Sequence, residues 1–256
     1  MKNLRVLALL NTLGLIITLT LNGLANALPI NGKNTGELSD MYPNLFVPAG
    51  FTFSIWGVIY TFLLLFIGYQ LFQAFSKYQR HDSFINEIGG LFFLNCLANA
   101  SWILAWHYQY VGLALLIMFA ILVTLILIYQ KLKIGLTKVR TAEKWFVHIP
   151  FSLYLGWITV ATIANVTTLL VDLDWNGFGI APEIWTVIVL IVGTLIGLRV
   201  LQKRGDIAFG LVILWAYFGI ISKRMSEGAE FTNAIVLTAI ISMVLVVSSI
   251  VRQFVK

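Results

Sequence analysis

The chain has 256 residues, of which 59% are hydrophobic and only 11% are charged, and its mean hydropathy is +0.90. Soluble domains carry about 25% charged residues, so this composition excludes an ordinary water-soluble fold as well as disordered, collagen-like and coiled-coil chains. A net charge of +6 is found in some nucleic-acid-binding proteins, but here the 17 Lys and Arg residues lie between long uncharged runs. We therefore interpret the basic charge as loop charge of an integral membrane protein.

The uncharged runs predict the transmembrane helices in chain order, since a span needs about 20 apolar residues. The run 88–130 holds 43 residues, enough for two helices, and the polar and aromatic residues 107–110 predict the turn between them. Gly205 and Asp206 predict a second turn. The sequence thus predicts an all-α integral membrane protein with about eight transmembrane helices. The predicted spans are residues 6–27, 51–75, 87–107, 110–131, 145–171, 183–201, 206–222 and 231–251.

The first predicted helix has features of a secretory signal peptide, because residues 1–5 are basic and residues 25–27 have the small-x-small pattern of a cleavage site. Its apolar part is longer than the roughly 7–15 residues of a signal core, so we predict that it is retained as a span. Asn11, Thr18 and Asn22 lie at helical spacing, which predicts that one face of this helix turns toward protein.

The predicted loops differ in basic charge according to the side of the membrane. Fourteen of the 17 Lys and Arg residues fall on the side of the two termini and three fall on the other. Cytoplasmic loops are enriched in Lys and Arg, so we expect both termini in the cytoplasm. Residues 131–144 contain five of these basic residues, and we interpret them as an orientation signal rather than a site for RNA or acidic lipid.

Three predicted helices carry a stripe of aromatic and polar residues on one face. A polar group in hydrocarbon turns toward a partner or a cavity, and several such stripes that converge would line an amphipathic pocket. The alternative is that the stripes are helix-packing faces, in which Asn side chains form hydrogen bonds between helices. We interpret three further Trp residues at predicted span ends as membrane-interface anchors: Trp145, Trp175 and Trp185. The candidate ligand-binding residues are Pro48, Phe53, Trp56 and Tyr60 in the second helix and its entrance, Asn99, Trp102 and Trp106 in the third, and Tyr154, Trp157, Ala161 and Asn165 in the fifth.

These stripes resemble the motifs of the TspO/MBR family, the tryptophan-rich sensory proteins related to the mitochondrial translocator protein. Residues 47–60 resemble the family motif P-P-x-W-x-F-G-P-V-W-T-x-L-Y. Residues 99–102 resemble N-x-x-W, which the family follows with G-L-A-L, found here at 112–115. Residues 154–165 resemble Y-x-x-W-V-S-F-A-T-x-x-N. The first segment matches at Pro48, Trp56 and Tyr60, whereas the Trp of the family at the helix entrance is Gly50 here.

The resemblance covers residues 5–172 and implies a five-helix bundle. The resemblance also implies a pocket that opens toward the first long loop and binds porphyrins and benzodiazepine-type ligands. The motifs do not explain residues 173–256, so we predict two domains: a TspO-like five-helix bundle at 1–172 and a three-helix transmembrane extension at 173–256. The basic residue of the cholesterol-recognition segment in animal members is missing after Asn165, so we do not predict sterol binding.

From the stripes and the resemblance we expect a membrane receptor, sensor or carrier. Its ligand would be flat and hydrophobic, a tetrapyrrole such as porphyrin or haem, held in an aromatic pocket between the second, third and fifth helices. Two alternatives stay open: a secondary transporter or permease for a small hydrophobic metabolite, and a membrane protein with a structural or partner-binding role. We expect the protein to lie in a bacterial plasma membrane. Its expected partners are the bilayer and the hydrophobic ligand, a homodimer is possible, and binding of nucleic acid is not expected.

Enzymatic activity is not expected from the residue types within the spans. No Asp, Glu, Lys or Arg lies in the middle of a predicted span, and neither a nucleophile triad nor a metal-ligand spacing is present. We therefore expect no catalytic residue, no metal site and no required cofactor, although the resemblance leaves light-dependent porphyrin degradation open. For His107, at a predicted span end, we expect a solvated side chain rather than a haem ligand.

Overall fold

The part of the chain that the structure describes contains eight long helices. The computed structural model describes residues 4–28, 30–76, 84–231 and 233–255, and none of these residues lies in a strand. The long helices are α1 (Leu4–Ala27), α2 (Ile55–Phe75), α3 (Leu91–His107), α4 (Val111–Lys131), α5 (Ile149–Asp172), α6 (Pro182–Arg204), α7 (Ile207–Ser226) and α8 (Ala234–Val255). Among the described residues, seven helices are long and apolar enough to cross a bilayer, and α3 is a shorter apolar helix. The expected all-α membrane fold with about eight helices is confirmed.

Short helical elements connect the long helices. They are Ile30–Gly32, Thr35–Asp40, Gly50–Ser54, Phe84–Ile88, Thr141–Glu143, a π-helical turn at Lys144–His148, and Gly177–Gly179. The element Gly50–Ser54 is a 3-10 helix that leads directly into α2.

Both predicted turns are present. Helix α3 ends at His107 and α4 begins at Val111. Gly205 ends α6 in the left-handed conformation, with φ +60°, which glycine adopts without steric cost. The Asp206 carboxylate then accepts a hydrogen bond from the backbone N–H of Phe209 at 3.2 Å and caps the start of α7.

By their contacts, the residues form two compact units. The first comprises Met1–Thr35 and Ile55–Leu155, in which α1 packs against α2 and α3, and α3 packs against α4. Asn11, Thr18 and Asn22 are all buried, which confirms the predicted protein-facing side of α1. Small residues and polar groups of this kind are the usual means of helix association in lipid.

The second unit comprises Gly36–Ser54 and Gly156–Lys256, in which α6, α7 and α8 pack against one another. Gly193 and Gly197, one turn apart on α6, bring that helix close to Tyr217 and Ile213 of α7. The Tyr217 hydroxyl donates a hydrogen bond to the Leu190 carbonyl at 2.6 Å. The proposed domain boundary at residue 172 stays a prediction.

Candidate functional site

The first unit brings together aromatic rings from α2 and the start of α5. Trp56 stacks on Tyr60, one turn further along α2, with ring centroids 5.2 Å apart. The edge of Tyr154 lies against Trp56, with centroids 5.9 Å apart. Trp56 and Tyr60 are half-buried, whereas Tyr154 is fully buried. The predicted i, i+4 pair of α2 therefore forms a stacked aromatic pair, and the buried Tyr154 ring packs against its Trp56 member.

A chain of side-chain hydrogen bonds fixes Tyr154 from α1 and α3. The Asn22 amide donates to the Asn99 carbonyl oxygen at 2.9 Å, and the Asn99 amide donates to the Tyr154 hydroxyl at 2.8 Å. The Tyr60 hydroxyl is buried beside Asn99 and Tyr154 without a hydrogen bond of good geometry to any described residue. Helices α2, α3 and α5 thus each supply at least one of the predicted residues to a common cluster, which we call the Trp56 cluster: Trp56, Tyr60, Asn99 and Tyr154.

The other two predicted residues of α3 form a second aromatic pair. Trp102 and Trp106 lie nearly parallel, with centroids 5.9 Å apart and an interplanar angle of 10°, and both are buried. The Trp106 indole N–H donates to the Thr35 carbonyl at 3.4 Å. This pair therefore anchors the start of the first long loop to the end of α3.

His107 lies in the same region, and the expectation of a solvated side chain is wrong. Its side chain is completely buried, with Nδ1 3.1 Å from the Ile30 carbonyl and Nε2 3.3 Å from the Thr35 hydroxyl. Its own carbonyl accepts a hydrogen bond from the Asn31 amide at 3.1 Å. The loop folds over the imidazole, a contact between residues more than 70 positions apart that local hydropathy does not report.

The remaining predicted residues belong to the second unit. Phe53 lies edge-on to Trp157, with centroids 6.0 Å apart. The Asn165 amide donates to the Ala161 carbonyl at 3.0 Å, a bond within one turn of α5. Pro48 is buried. Contact between these residues and one ligand remains a prediction.

The entrance to α2 is held by α7, which sequence reasoning did not connect with the site. The Ala49 N–H donates to the Gly219 carbonyl at 3.0 Å, and the Trp215 indole N–H donates to the Thr52 carbonyl at 2.9 Å. A Cβ atom at Gly219 would overlap with the Thr52 hydroxyl, so only glycine permits this approach. The C-terminal helices therefore position the segment that precedes Trp56.

The second unit also contains a large cavity of about 1140 Å³, which the sequence analysis did not predict. The loop 39–47, the C-terminal half of α5, the start of α6 and the end of α7 line it. Its walls include Trp175 and Trp185, which the sequence analysis assigned to the membrane interface. A signal was present in the sequence, since Asp174 directly precedes Trp175 and Glu183 lies two residues before Trp185.

The electrostatic setting of this cavity is acidic. Burial and the neighbouring Asp172 carboxylate both raise the pKa of Tyr42, which lines the cavity, so that its phenol stays neutral at physiological pH. Two basic residues and four acidic residues are part of the lining: Lys223, Arg224, Asp40, Asp174, Glu183 and Glu227.

Both places offer groups that can bind a ligand: aromatic faces, amide and hydroxyl groups, and at the cavity a set of charges. Among the described residues, no group of three or more His, Cys, Asp or Glu side chains is placed to hold a metal ion.

Comparison with protein-family models gives one match over nearly the whole chain. The model of the family described as TSPO-like protein matches residues 8–252, and so reaches beyond the motif-bearing part into α6, α7 and α8. Neither the curated proteins nor the solved structures give a significant match.

Proposed function

Since the chain belongs to the TSPO-like protein family, we propose that this membrane protein is a receptor, sensor or carrier for a flat hydrophobic ligand. The ligand class that fits best is a tetrapyrrole, porphyrin or haem, bound against the Trp56 cluster. The protein acts in a bacterial plasma membrane with both termini in the cytoplasm.

One observation carries this proposal: the half-buried Trp56 ring is stacked on Tyr60 and backed by Tyr154, whose hydroxyl is held by Asn99. A macrocycle binds well to such a surface, because offset-stacked aromatic pairs contribute about 0.5–1.5 kcal/mol each beyond the area they bury.

The rigidity of the cluster supports the same function. The hydrogen bonds from Asn22 through Asn99 to Tyr154 fix the supporting ring before a ligand arrives, so little conformational entropy is lost on binding. Trp102 and Trp106 of the same unit extend the proposed site, as the family resemblance implies.

The test is a titration of the purified protein in lipid nanodiscs with protoporphyrin IX. The readout is the circular dichroism induced in the Soret band, which requires a chiral binding site and so excludes porphyrin dissolved in lipid. We expect saturable binding, and a loss of about tenfold in affinity for Trp56→Ala, since one stacking partner and its buried area are removed.

The matched control is Trp145→Ala, because Trp145 is 52% exposed and lies outside the Trp56 cluster. It should leave the induced signal unchanged. Absence of saturable signal in the parent protein, or equal losses in the two variants, would reject tetrapyrrole binding at Trp56.

A further inference from the structure

The cavity of the second unit is separate from the residues assigned to the tetrapyrrole. Along α5 it is lined by Thr162, Ile163, Val166 and Leu170, whereas Trp157, Ala161 and Asn165 are not part of its lining. Helix α5 therefore presents two different faces, and the motif-bearing face is not the one that borders this cavity.

The lining of the cavity combines charged and apolar side chains. The charged residues come from the loop 39–47, the segment after α5, the start of α6 and the end of α7. The lining residues of α5 run from Thr162 to Val171 and extend about 14 Å along the helix, a length comparable to that of a drug-sized molecule. Phe46, Val47 and Val189 continue the apolar lining.

The basic residues of the lining are already paired. Lys223 Nζ lies 3.2 Å from Asp40 Oδ1 and 3.6 Å from Glu227 Oε1. Arg224 Nη1 lies 2.9 Å from Glu227 Oε2. Each basic group thus has a carboxylate of the protein beside it, and neither is left to attract an anion.

Two carboxylates of the lining have no such partner. Asp174 and Glu183 are exposed and make no ion pair with any residue that the structure describes. The lining therefore carries an excess of two negative charges, in a chain whose overall charge is positive. Burial raises the pKa of Tyr42, and the nearby Asp172 carboxylate raises it further.

Two aromatic residues of the lining lie close in sequence to these carboxylates. Trp175 and Trp185 lie with their ring centroids 5.2 Å apart at an angle of 54°, and the Trp185 N–H donates to the Gly177 carbonyl at 3.0 Å, which fixes its orientation. Indole faces next to carboxylates attract organic cations through both cation–π and Coulomb interactions.

A buried donor in the lining independently indicates a ligand. Arg224 is only 7% exposed, and its Nε–H has no acceptor among the described residues. A buried donor without a partner costs free energy, so an occupant of the cavity gains by offering an oxygen to it. Because the guanidinium is already paired with Glu227, a neutral carbonyl or ether oxygen is sufficient.

From these observations we propose that the cavity binds a lipophilic organic cation, with an ammonium or iminium group near Asp174 and Glu183, an apolar body along α5 and α6, and a neutral oxygen acceptor for Arg224. This second site goes beyond the proposed tetrapyrrole site and does not depend on it.

The test uses two dyes that differ in one charge, the ethyl ester of rhodamine B, a cation, and rhodamine B itself, whose free carboxylate makes it neutral overall at neutral pH. Binding to the full chain in nanodiscs of zwitterionic lipid is followed by fluorescence anisotropy, with protein-free nanodiscs as the baseline for partition. We expect saturable binding of the ester and about tenfold weaker binding of the free acid, because the carboxylate would face two unpaired acids.

The decisive variant is Asp174→Asn combined with Glu183→Gln, which should weaken binding of the ester by about tenfold and remove the preference between the dyes. Its matched control, Glu87→Gln combined with Glu143→Gln, removes two carboxylates outside the cavity lining and should change nothing. Tighter binding of the free acid, equal losses in the two double variants, or no saturable binding of the ester would overturn the proposal.

Each of the two proposals can be rejected without rejecting the other. Trp56→Ala should leave binding of the ester intact, and the Asp174 and Glu183 double variant should leave the porphyrin-induced signal intact. Loss of ester binding in Trp56→Ala would place the dye at the Trp56 cluster and would also overturn the cavity proposal.

Discussion

The hydroxyl of Tyr154 shows how one polar atom organises several helices in the apolar interior. It accepts from Asn99 of α3, which in turn accepts from Asn22 of α1, so that a residue of α5 is tied to two other helices. Hydrogen bonds between helices in lipid contribute about 0.6 kcal/mol on average, with values up to about 1.7 kcal/mol. The aromatic part of the same residue supports Trp56, so its polar and apolar parts have separable roles.

Tyr154→Phe tests this separation. The variant removes the acceptor of the Asn99 amide, so we expect it to lower the free energy of unfolding by about 1 kcal/mol, measured by SDS titration of the protein in mixed micelles. Porphyrin binding should change by less than about threefold, because the supporting ring is retained. Tyr110→Phe is the control, since Tyr110 is 64% exposed. Equal stability of the two variants would show that the hydrogen-bond chain is not stabilising.

The spacing of single residues anticipated part of this site. Trp56 and Tyr60 are one helical turn apart, so their stacking could be read from the sequence, whereas the partners of Asn99 could not. The burial of His107 was also missed, because its contacts with Ile30 and Thr35 come from a loop whose path is set by tertiary packing.

Among the helices, α7 has the clearest role beyond spanning the membrane. Its Gly219 and Trp215 bind the backbone of residues 49–52, the segment that leads into α2. The hydrogen bonds are made to main-chain atoms, so they fix the path of the segment whatever its side chains. The close approach of Thr52 to Gly219 requires the absence of a side chain on α7.

Gly219→Ala should therefore be destabilising, since the added methyl group would overlap with Thr52 and force the entrance segment away from α7. We expect a loss of about 1–3 kcal/mol of unfolding free energy, and faster amide hydrogen exchange in residues 49–54. Adding Thr52→Gly should restore part of the loss, because it removes the atoms that collide.

Gly68→Ala serves as the control for this substitution, because a Cβ atom at Gly68 of α2 meets no other atom within 4 Å. It should leave the exchange of residues 49–54 unchanged. Similar effects of the two substitutions would mean that Gly219 acts through helix propensity rather than through its contact with Thr52.

At the scale of the whole molecule, the number of spans determines where the termini lie. Within the described ranges, seven helices are long enough to cross by themselves, and α3, with 17 residues, is about 26 Å long, near the lower limit for a span. The tight turn between α3 and α4 makes a hairpin, which favours a complete crossing by α3. An even number of crossings places both termini on one side, in agreement with the distribution of Lys and Arg.

Topology reporters test this arrangement in bacterial cells. Green fluorescent protein fused at the C-terminus or after Gly135 should fluoresce, and alkaline phosphatase at the same positions should be inactive, because both positions are expected in the cytoplasm. After Gly179 the two reporters should give the opposite result. Active phosphatase at the C-terminus would show an odd number of crossings or an inverted protein.

The sequence by itself determined the membrane fold, the eight long helices, the turns at 107–110 and 205–206 and the buried face of α1. These features depend on local composition and helical periodicity, because hydrocarbon requires long apolar segments and excludes unpaired backbone groups. Only the tertiary structure decided which polar atoms meet at Tyr154, that α7 holds the entrance of α2, and that a charged cavity lies beside α5. Those features arise from contacts between residues far apart in the chain, and no local pattern specifies such pairings.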